Sequence, residues 1–349
     1  MKIWFVVSIL MIMLVACSVE KQSDIVGKID AYLSELEQEQ EFSGAVLVAR
    51  DGEILLSKGY GMADKAGQIP NTPQTRYRIS LVTMPFTATA IMQLQADGKL
   101  NVQDSICQYI PECPDCWKEI TLHHLLTHTS GVSDSIQPWE YEAEKPTTGL
   151  ERVDFIKQKA PYFQPGEQLR YSENGYVILG AIIERVSGQS YEEYLNVHIF
   201  EPLGMENSGY EENQIAVGYK PTGIEAPTPD VLFRYSAGGL YSTVEDLYLW
   251  DQALYGEQLL AQEYLDMMFT GYATTPSVDF KGAKYGYGWF IGKTLDLPVI
   301  FHGGSMSGYT SMMLRFPDER VTIIVLRNYE IQIYDRLEIE LAKIVFDKK

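Results

Sequence analysis

The hydrophobic positions near the start of the folded part of the chain have helical spacing. Apolar residues recur every three to four positions and share one helix face: they are Ile25, Ile29, Leu33 and Leu36. Two β-rich runs follow, GAVLVA and EILLSKGYG, joined by Asp51-Gly52. Asp-Gly is a strong hairpin signal because both residues accept a positive φ. An antiparallel sheet is therefore predicted to begin here.

Helical patterns dominate the chain from about Phe86 to Met268, for example FTATAIMQLQADGKL, GYVILGAIIERVSG and TVEDLYLWDQALYG. Strand-like runs return at YGYGWFIG, LPVIFHG, YTSMMLRF and VTIIVLRN, before a final amphipathic helix from about Ile331 to Phe346. Helices at both ends of the chain, flanking an antiparallel sheet that is split in sequence, indicate an α+β fold. We expect the sheet from about 24–75 and 280–349, and a mostly helical subdomain over about 76–279.

Composition supports a globular domain and restricts its partners. The 349 residues are 46% hydrophobic and 21% charged, enough to bury a sizeable core. A formal charge of -19 would repel nucleic acid, and no long basic cluster or stripe occurs along the sequence. We therefore expect no nucleic-acid partner and, because no cofactor motif is present, no nucleotide or metal cofactor.

The N-terminus resembles a bacterial lipoprotein signal. Lys2 precedes an apolar run that is shorter than the roughly 20 residues needed to span a bilayer, and the run ends in Leu14-Val15-Ala16-Cys17. We expect a signal peptide over residues 1–16, lipid on Cys17, a tether over 17–23 and a domain over 24–349. An uncleaved anchor and an ordinary secretory signal are the alternatives. The domain is predicted on the extracytoplasmic face of a bacterial cell membrane.

The other cysteines are Cys107, Cys113 and Cys116, so at most one intrachain disulfide can form among them. Cys107 with Cys113 is the preferred pair. Zinc is the alternative for Cys113 and Cys116, which have C-x-x-C spacing but no second pair nearby. His124 and His128 are four apart, as zinc ligands on a helix would be, but no Glu stands between them. No metal site is predicted.

Four segments resemble the serine β-lactamase and penicillin-binding protein family, which includes class C β-lactamases, D-Ala-D-Ala peptidases and esterases. They are YRISLVTMPFTATAIMQLQADGKL from Tyr77, ITLHHLLTHTSG from Ile120, YSENGYVILGAIIERVSG from Tyr171 and HGGSMSGYTS from His302. SAGGLYSTVEDLYLW from Ser236 adds to them, and the resemblance covers nearly the whole mature chain. It implies a β-lactamase/transpeptidase-like α+β fold and a serine hydrolase site.

The resemblance also implies an S-x-x-K motif at the start of a helix, where the lysine amine takes the proton of the serine hydroxyl. Alignment through Phe86-Thr87-Ala88 places Leu81 at the serine position and Met84 at the lysine position. An isobutyl group cannot be acylated and a thioether is no general base, so the usual covalent route is closed. Ser80 points about 100° away on a helix and lacks a base. We assign it to substrate binding, with nucleophile as its alternative role.

The family's other two motifs survive in part. In Y-x-N, Tyr171 remains as a candidate catalytic residue, whereas Glu173 replaces the asparagine that holds substrate amides. A carboxylate there would disfavour substrates that end in a carboxylate, unless it turns outward to solvent. His302-Gly303-Gly304 matches H-x-G, which makes His302 a candidate catalytic residue and Gly303, Gly304 and Ser305 substrate-binding residues. The resemblance places the oxyanion hole at the N–H groups of Leu81 and Ser305.

Two functions follow from these residues. The first is a catalytically silent, membrane-tethered lipoprotein that binds a peptidoglycan-derived or other small acyl or peptide ligand. The alternative is an active hydrolase with a rearranged mechanism, in which Glu173 or Tyr171 activates water over the remaining oxyanion hole. A plain structural lipoprotein without a ligand is a third possibility, against which the HGG strand and Tyr171 argue. Fold alone does not decide among them.

Overall fold

The structure, a computed structural model, describes residues 22, 24–134, 148–210, 214–228, 231–275, 280–330 and 336–348. The predictions for the signal peptide, for Cys17 and for the first residues of the last helix fall outside these ranges.

Twelve strands form one large sheet and two small ones within the described residues. They are β1 (Gly44–Arg50), β2 (Glu53–Tyr60), β3 (Met62–Asp64), β4 (Ile69–Pro70), β5 (Tyr77–Arg78), β6 (Tyr241–Ser242), β7 (Ala273–Thr274), β8 (Lys281–Tyr285), β9 (Phe290–Thr294), β10 (Leu297–Met306), β11 (Tyr309–Phe316) and β12 (Val321–Arg327). The large sheet has the order β2-β1-β12-β11-β10-β9-β8-β7, and β3–β4 and β5–β6 form separate pairs. Every pairing in the large sheet is antiparallel.

The predicted hairpin between β1 and β2 is confirmed. Asp51 has a φ of 53° and Gly52 a φ of 81°, the left-handed conformations that a tight hairpin turn requires. The first hairpin then pairs with the last strand, with Gly44 opposite Arg327, so the two ends of the chain close one sheet. The sheet also takes in β7 at Ala273, before the expected boundary at about 280. A two-residue strand is too short to carry a detectable alternation.

Eleven α-helices are described. They are α1 (24–38), α2 (Thr83–Ala96), α3 (Leu122–Leu126), α4 (Gly149–Lys157), α5 (Glu173–Ser187), α6 (Tyr191–Leu195), α7 (Glu201–Leu203), α8 (Val231–Gly238), α9 (Val244–Ala253), α10 (Gln262–Met268) and α11 (Leu337–Phe346). None of these helices is long and apolar enough to cross a membrane.

The two terminal helices cover one face of the large sheet. Ile25, Ile29 and Leu33 of α1 are buried, as their spacing predicted, and they belong to the same core as Leu337 and Leu341 of α11. Burying this apolar face against the sheet removes it from water, at about 25 cal/mol per Å² of apolar surface. The predicted α+β arrangement, a large antiparallel sheet with a helix from each end of the chain, is confirmed.

The helical subdomain packs on the opposite face, around α2 and α5. Nearly all of α2 is buried, from Thr83 to Leu94, because helices surround it on several sides. A helix that is apolar all round suits such a central position. The start of α2 is thereby fixed against β10 and β11, and this junction is where the sequence motifs meet.

Candidate functional site

The turn that leads into α2 carries the position of the expected nucleophile. A short 3-10 helix, Ser80–Val82, precedes α2, and Ser80 has a φ of 48°, unusual for a residue with a Cβ. The hydroxyl of Ser311 donates to the Ile79 carbonyl over 2.7 Å, and the hydroxyl of Ser80 donates to the Ser305 carbonyl over 2.9 Å. These bonds to β10 and β11 help to hold the turn in place and use no atom of the Leu81 side chain, which packs against the hydrophobic core.

Gly304 lets the turn approach β10 closely. A Cβ at this position would lie 2.6 Å from the backbone nitrogen of Leu81 and 2.8 Å from the carbonyl oxygen of Ile79. Those separations are far below van der Waals contact, so only glycine fits. Gly304 of the H-x-G motif therefore allows the backbone at Leu81, the expected serine position, to lie close to β10.

The upper half of β10 presents a free edge beside this turn. β9 pairs with β10 over Leu297–Phe301, whereas β11 pairs with it as far as Met306, so His302 to Met306 have a strand on one side. The Ser305 carbonyl accepts the Ser80 hydroxyl on the unpaired side. In an antiparallel strand the N–H and C=O of one residue point the same way, so the Ser305 N–H also faces the turn. This places the two candidate oxyanion donors, Leu81 and Ser305, at one junction.

Met84 fills the place of the expected general base. Its side chain is fully buried, and its Sδ accepts a hydrogen bond from the Tyr171 hydroxyl over 3.0 Å. Burial, together with the charge of Glu173, raises the pKa of Tyr171 well above its ordinary value. A thioether accepts hydrogen bonds weakly and cannot hold a proton at neutral pH. Tyr171 therefore keeps its proton, and Leu81, which is partly buried, offers no nucleophilic atom.

The side chain of His302, on β10, is buried. Its Nδ1 is 3.0 Å from the Gly303 carbonyl oxygen and its Nε2 is 3.1 Å from the Tyr285 hydroxyl. The carbonyl can only accept, so Nδ1 carries the proton and Nε2 accepts from Tyr285. Burial lowers the pKa of His302 to about 3, which makes the ring neutral. Because His302 is fully buried, we assign it a positioning role in place of the catalytic role expected from its motif.

Glu173 occupies the first turn of α5 and forms an ion pair. Asp134 caps this helix start by accepting the Ser172 hydroxyl and the backbone N–H groups of Glu173 and Asn174, at 2.9 to 3.2 Å. Arg234 Nη1 lies 3.0 and 3.1 Å from the two carboxylate oxygens of Glu173. Burial raises the pKa of Glu173, and the guanidinium opposes that shift.

The ion pair corrects the expectation of an uncompensated negative charge in the cleft. The outward-facing alternative is wrong as well, since the Glu173 side chain is only 32% exposed and Arg234 holds it. Asn174 does not restore the motif, because it is buried and its amide donates to the Ser133 carbonyl over 2.7 Å. Arg234 carried no sequence signal: it stands on α8, 61 positions from Glu173.

The histidines that suggested a metal site have protein partners, and so does one of the two cysteines of the C-x-x-C pair. His123 Nδ1 lies 2.8 Å from the Tyr287 hydroxyl, His124 interacts with Thr121, and His128 Nδ1 accepts the Ser172 N–H. Cys107 and Cys113 form the disulfide preferred from the sequence, and Cys116 is exposed and unpaired. Within the described ranges, no three potential metal ligands of the His, Cys, Asp and Glu types gather at one point.

The order of these parts along the chain is that of one family. The β-lactamase family model matches residues 29–341. The chain belongs to the β-lactamase family. Leu81 and Met84 both lie inside the matched range, at the turn and helix start described above, where the family pattern has a serine and a lysine.

Relatives in sequence and structure are penicillin-binding proteins and their homologues. The chain is 37% identical to PbpX of Bacillus subtilis (strain 168) over 269 residues, which are 74% of this chain and 66% of that protein, just under two thirds of its length. It is similar to the octameric penicillin-binding protein homologue from Pyrococcus abyssi, with a TM-score of 0.81, 30% identity, and 93% of this chain and 78% of that chain covered. It also resembles the penicillin binding protein from Bacillus halodurans, with a TM-score of 0.78, 27% identity, and 89% and 98% covered. The resemblance seen in the motifs and the fold it implied are confirmed.

Proposed function

We propose that this β-lactamase family protein is catalytically silent and binds a cell-envelope ligand without forming a covalent adduct. One observation carries the proposal: the Tyr171 hydroxyl donates to the buried sulfur of Met84, where the family pattern requires an amine. The Tyr171 hydroxyl thus has a hydrogen-bond acceptor, the Met84 sulfur, that takes up no proton. Leu81 in the preceding turn removes the atom that would be acylated.

The features that remain favour binding of a small acyl or peptide ligand, such as a fragment of peptidoglycan. The free edge of β10 offers backbone groups to an extended ligand. The N–H groups of Leu81 and Ser305 suit a carbonyl or carboxylate oxygen. We further propose that lipid on Cys17 tethers the domain to the extracytoplasmic face of a bacterial cell membrane, as the signal-like residues 1–16 indicate.

A hydrolase with a rearranged mechanism is the second candidate. The observation in its favour is Glu173, whose pKa is raised by burial towards the range of a general base. In this mechanism the carboxylate takes a proton from water as the water oxygen attacks a carbonyl carbon whose oxygen lies in the oxyanion hole. The tetrahedral intermediate then collapses, the bond from the acyl carbon to the leaving group breaks, and the protonated Glu173 returns its proton to the leaving group. Arg234 weighs against it, because the guanidinium lies within 3.1 Å of both carboxylate oxygens and makes them weaker bases.

The test exposes the purified chain to a fluorescent penicillin and to an activated ester, and measures intact mass and product release. We expect unchanged mass and product release no faster than in buffer. An adduct at any residue would contradict the silent site. Product release without an adduct, abolished in Glu173→Gln, would establish the water mechanism instead.

Binding is tested separately with small peptidoglycan fragments and isothermal calorimetry. We expect saturable binding that a bulky side chain at the edge of β10 weakens, for example in Ser305→Trp. Ser187→Trp on α5 is a matched control at a partly buried position away from the junction. If the two variants bind the fragments with equal affinity, the ligand binds elsewhere.

A further inference from the structure

Three lysines that are separated in sequence meet on one face of β8 and β9. Lys281 and Lys293 are direct cross-strand partners, and Lys284 pairs with Ile291, two residues from Lys293. Cross-strand partners project from the same face of a sheet, and so do residues two apart on one strand. Lys281, Lys284 and Lys293, all exposed, therefore share one face, which we call the lysine face.

The lysine face lines a groove of about 730 Å³ at the end of the sheet. Gly271, Gly282 and Gly292 also line it, and Asp296 is the one acidic residue among its described lining residues. Three positive charges against one negative charge make the groove positive, in a chain whose formal charge is -19. The fold thus assembles the basic cluster that is absent from the linear sequence.

The ammonium groups of the lysine face have no ion pair or hydrogen bond among the described residues. Other lysines are paired, for example Lys99 with Asp97 and Lys343 with Glu340. Like charges directly opposite each other on antiparallel strands are destabilising. Lys281 and Lys293 keep that unfavourable arrangement, which an anion between them would relieve.

We propose that the lysine face binds a linear polymer of phosphate groups. Lysine binds phosphate as a point charge, whereas carboxylate recognition favours the planar fork of arginine, and the described lining of this groove contains no arginine. Cross-strand Cβ atoms lie about 5 Å apart, close enough for the flexible ammonium groups of two lysines to reach neighbouring phosphates of one chain. The groove is concave and the large apolar side chains in its lining, Ile291 and Leu295, are both partly buried, which favours a chain lying in it over a flat bilayer surface.

The experiment titrates the whole domain, residues 24–349, with fluorescently labelled inorganic polyphosphate and measures anisotropy at low and moderate salt. We expect saturable binding that weakens as salt rises, because phosphate contacts release counterions. Lys281→Gln with Lys293→Gln should weaken binding at least tenfold. The control is Lys99→Gln with Lys343→Gln, which changes the net charge equally at paired lysines and should retain binding.

A thermal melt without polymer checks the fold of both double variants. The lysine-face variant should melt no lower than the unmodified chain, since a like-charge contact has been removed, and polyphosphate should raise the melting temperature of the unmodified chain and of the control only. Equal binding by all three proteins would overturn the proposal. So would equal affinity for free inorganic phosphate, or tighter binding to phosphatidylglycerol vesicles or single-stranded DNA than to polyphosphate. None of these results depends on activity at the Leu81 junction.

Discussion

The Tyr171 hydroxyl donates a hydrogen bond to Sδ of Met84 over 3.0 Å, and the Tyr285 hydroxyl lies 3.9 Å from the same sulfur. A cluster of phenols around a thioether has no group that titrates near neutral pH, since burial raises the pKa of both tyrosines well above the ordinary value. Family members of this pattern need an amine here to accept a proton from the nucleophile. Met84 at this position therefore gives the Tyr171 hydroxyl an acceptor that takes up no proton.

Restoring both groups should restore acylation. We expect Leu81→Ser with Met84→Lys to form a covalent adduct with an activated ester about a hundredfold faster than Leu81→Ser alone, the lower range for general base catalysis. Burial would lower the pKa of an amine at position 84, which makes it a better base at neutral pH. Mass spectrometry with peptide mapping locates the adduct. If the double variant is no faster than Leu81→Ser, the cleft itself, or Glu173, also blocks the reaction.

The Glu173–Arg234 ion pair should contribute modestly to stability. The two side chains are 32% and 24% exposed, so we expect a coupling free energy of about 0.5 to 1 kcal/mol after allowance for solvent screening. A double-mutant cycle with Glu173→Gln, Arg234→Gln and the double variant measures it through urea unfolding. Coupling near zero would show that the guanidinium and carboxylate are solvated separately.

The turn at Ser80 should carry backbone strain that is measurable. Ser80→Ala removes the hydrogen bond to the Ser305 carbonyl and keeps the left-handed φ, so we expect a loss of about 1 kcal/mol in the free energy of unfolding. Ser80→Gly removes the same bond but tolerates the positive φ, which recovers about 1 kcal/mol. Urea unfolding of the two variants isolates the backbone contribution. A glycine variant no more stable than the alanine variant would argue against strain at this turn.

His302 should make stability depend on pH. Its pKa is about 3 in the folded chain and 6.5 when unperturbed, so unfolding takes up a proton between those values. The stabilisation from neutral His302 is complete above about pH 6.5 and is lost as pH falls towards 3, by at most about 1.4 kcal/mol per pH unit. Unfolding at several pH values from about 6.5 to 5 measures the slope. His302→Gln should lower this slope by the contribution of one histidine. The contribution of His128 is the same in both proteins and drops out of the comparison. Equal slopes would mean that His302 takes up no proton on unfolding.

Most of the fold could be predicted because its elements have strong local signals. The helical spacing of the apolar residues in α1, the Asp51-Gly52 turn and the β-branched run of β12 each point to one structure. The β7 strand escaped prediction because two residues carry no periodicity, and YGYGWFIG proved to contain the turn between β8 and β9 as well as strand residues.

The sequence motifs located the residues of the candidate site, but they did not identify the residues that pair with them. Leu81, Met84 and Ser305 could be placed by alignment with the family pattern, because the motif spacing fixes them on the turn, helix and strand. Arg234 could not, since pairing with Glu173 depends on how α8 packs against α5 and leaves no trace in sequence spacing. The lysine face was missed for the same reason, as strand pairing brings Lys281 and Lys293 together across 12 positions.

The turn before α2 is held by Ser311, Gly304 and Ser305, and none of these contacts uses the side chain of Leu81. The backbone of this turn is therefore held by the two strands beside it. The side chain at position 81 can change while its N–H group stays beside that of Ser305. In design terms, the turn is a fixed backbone template on which side chains of different chemistry can be installed.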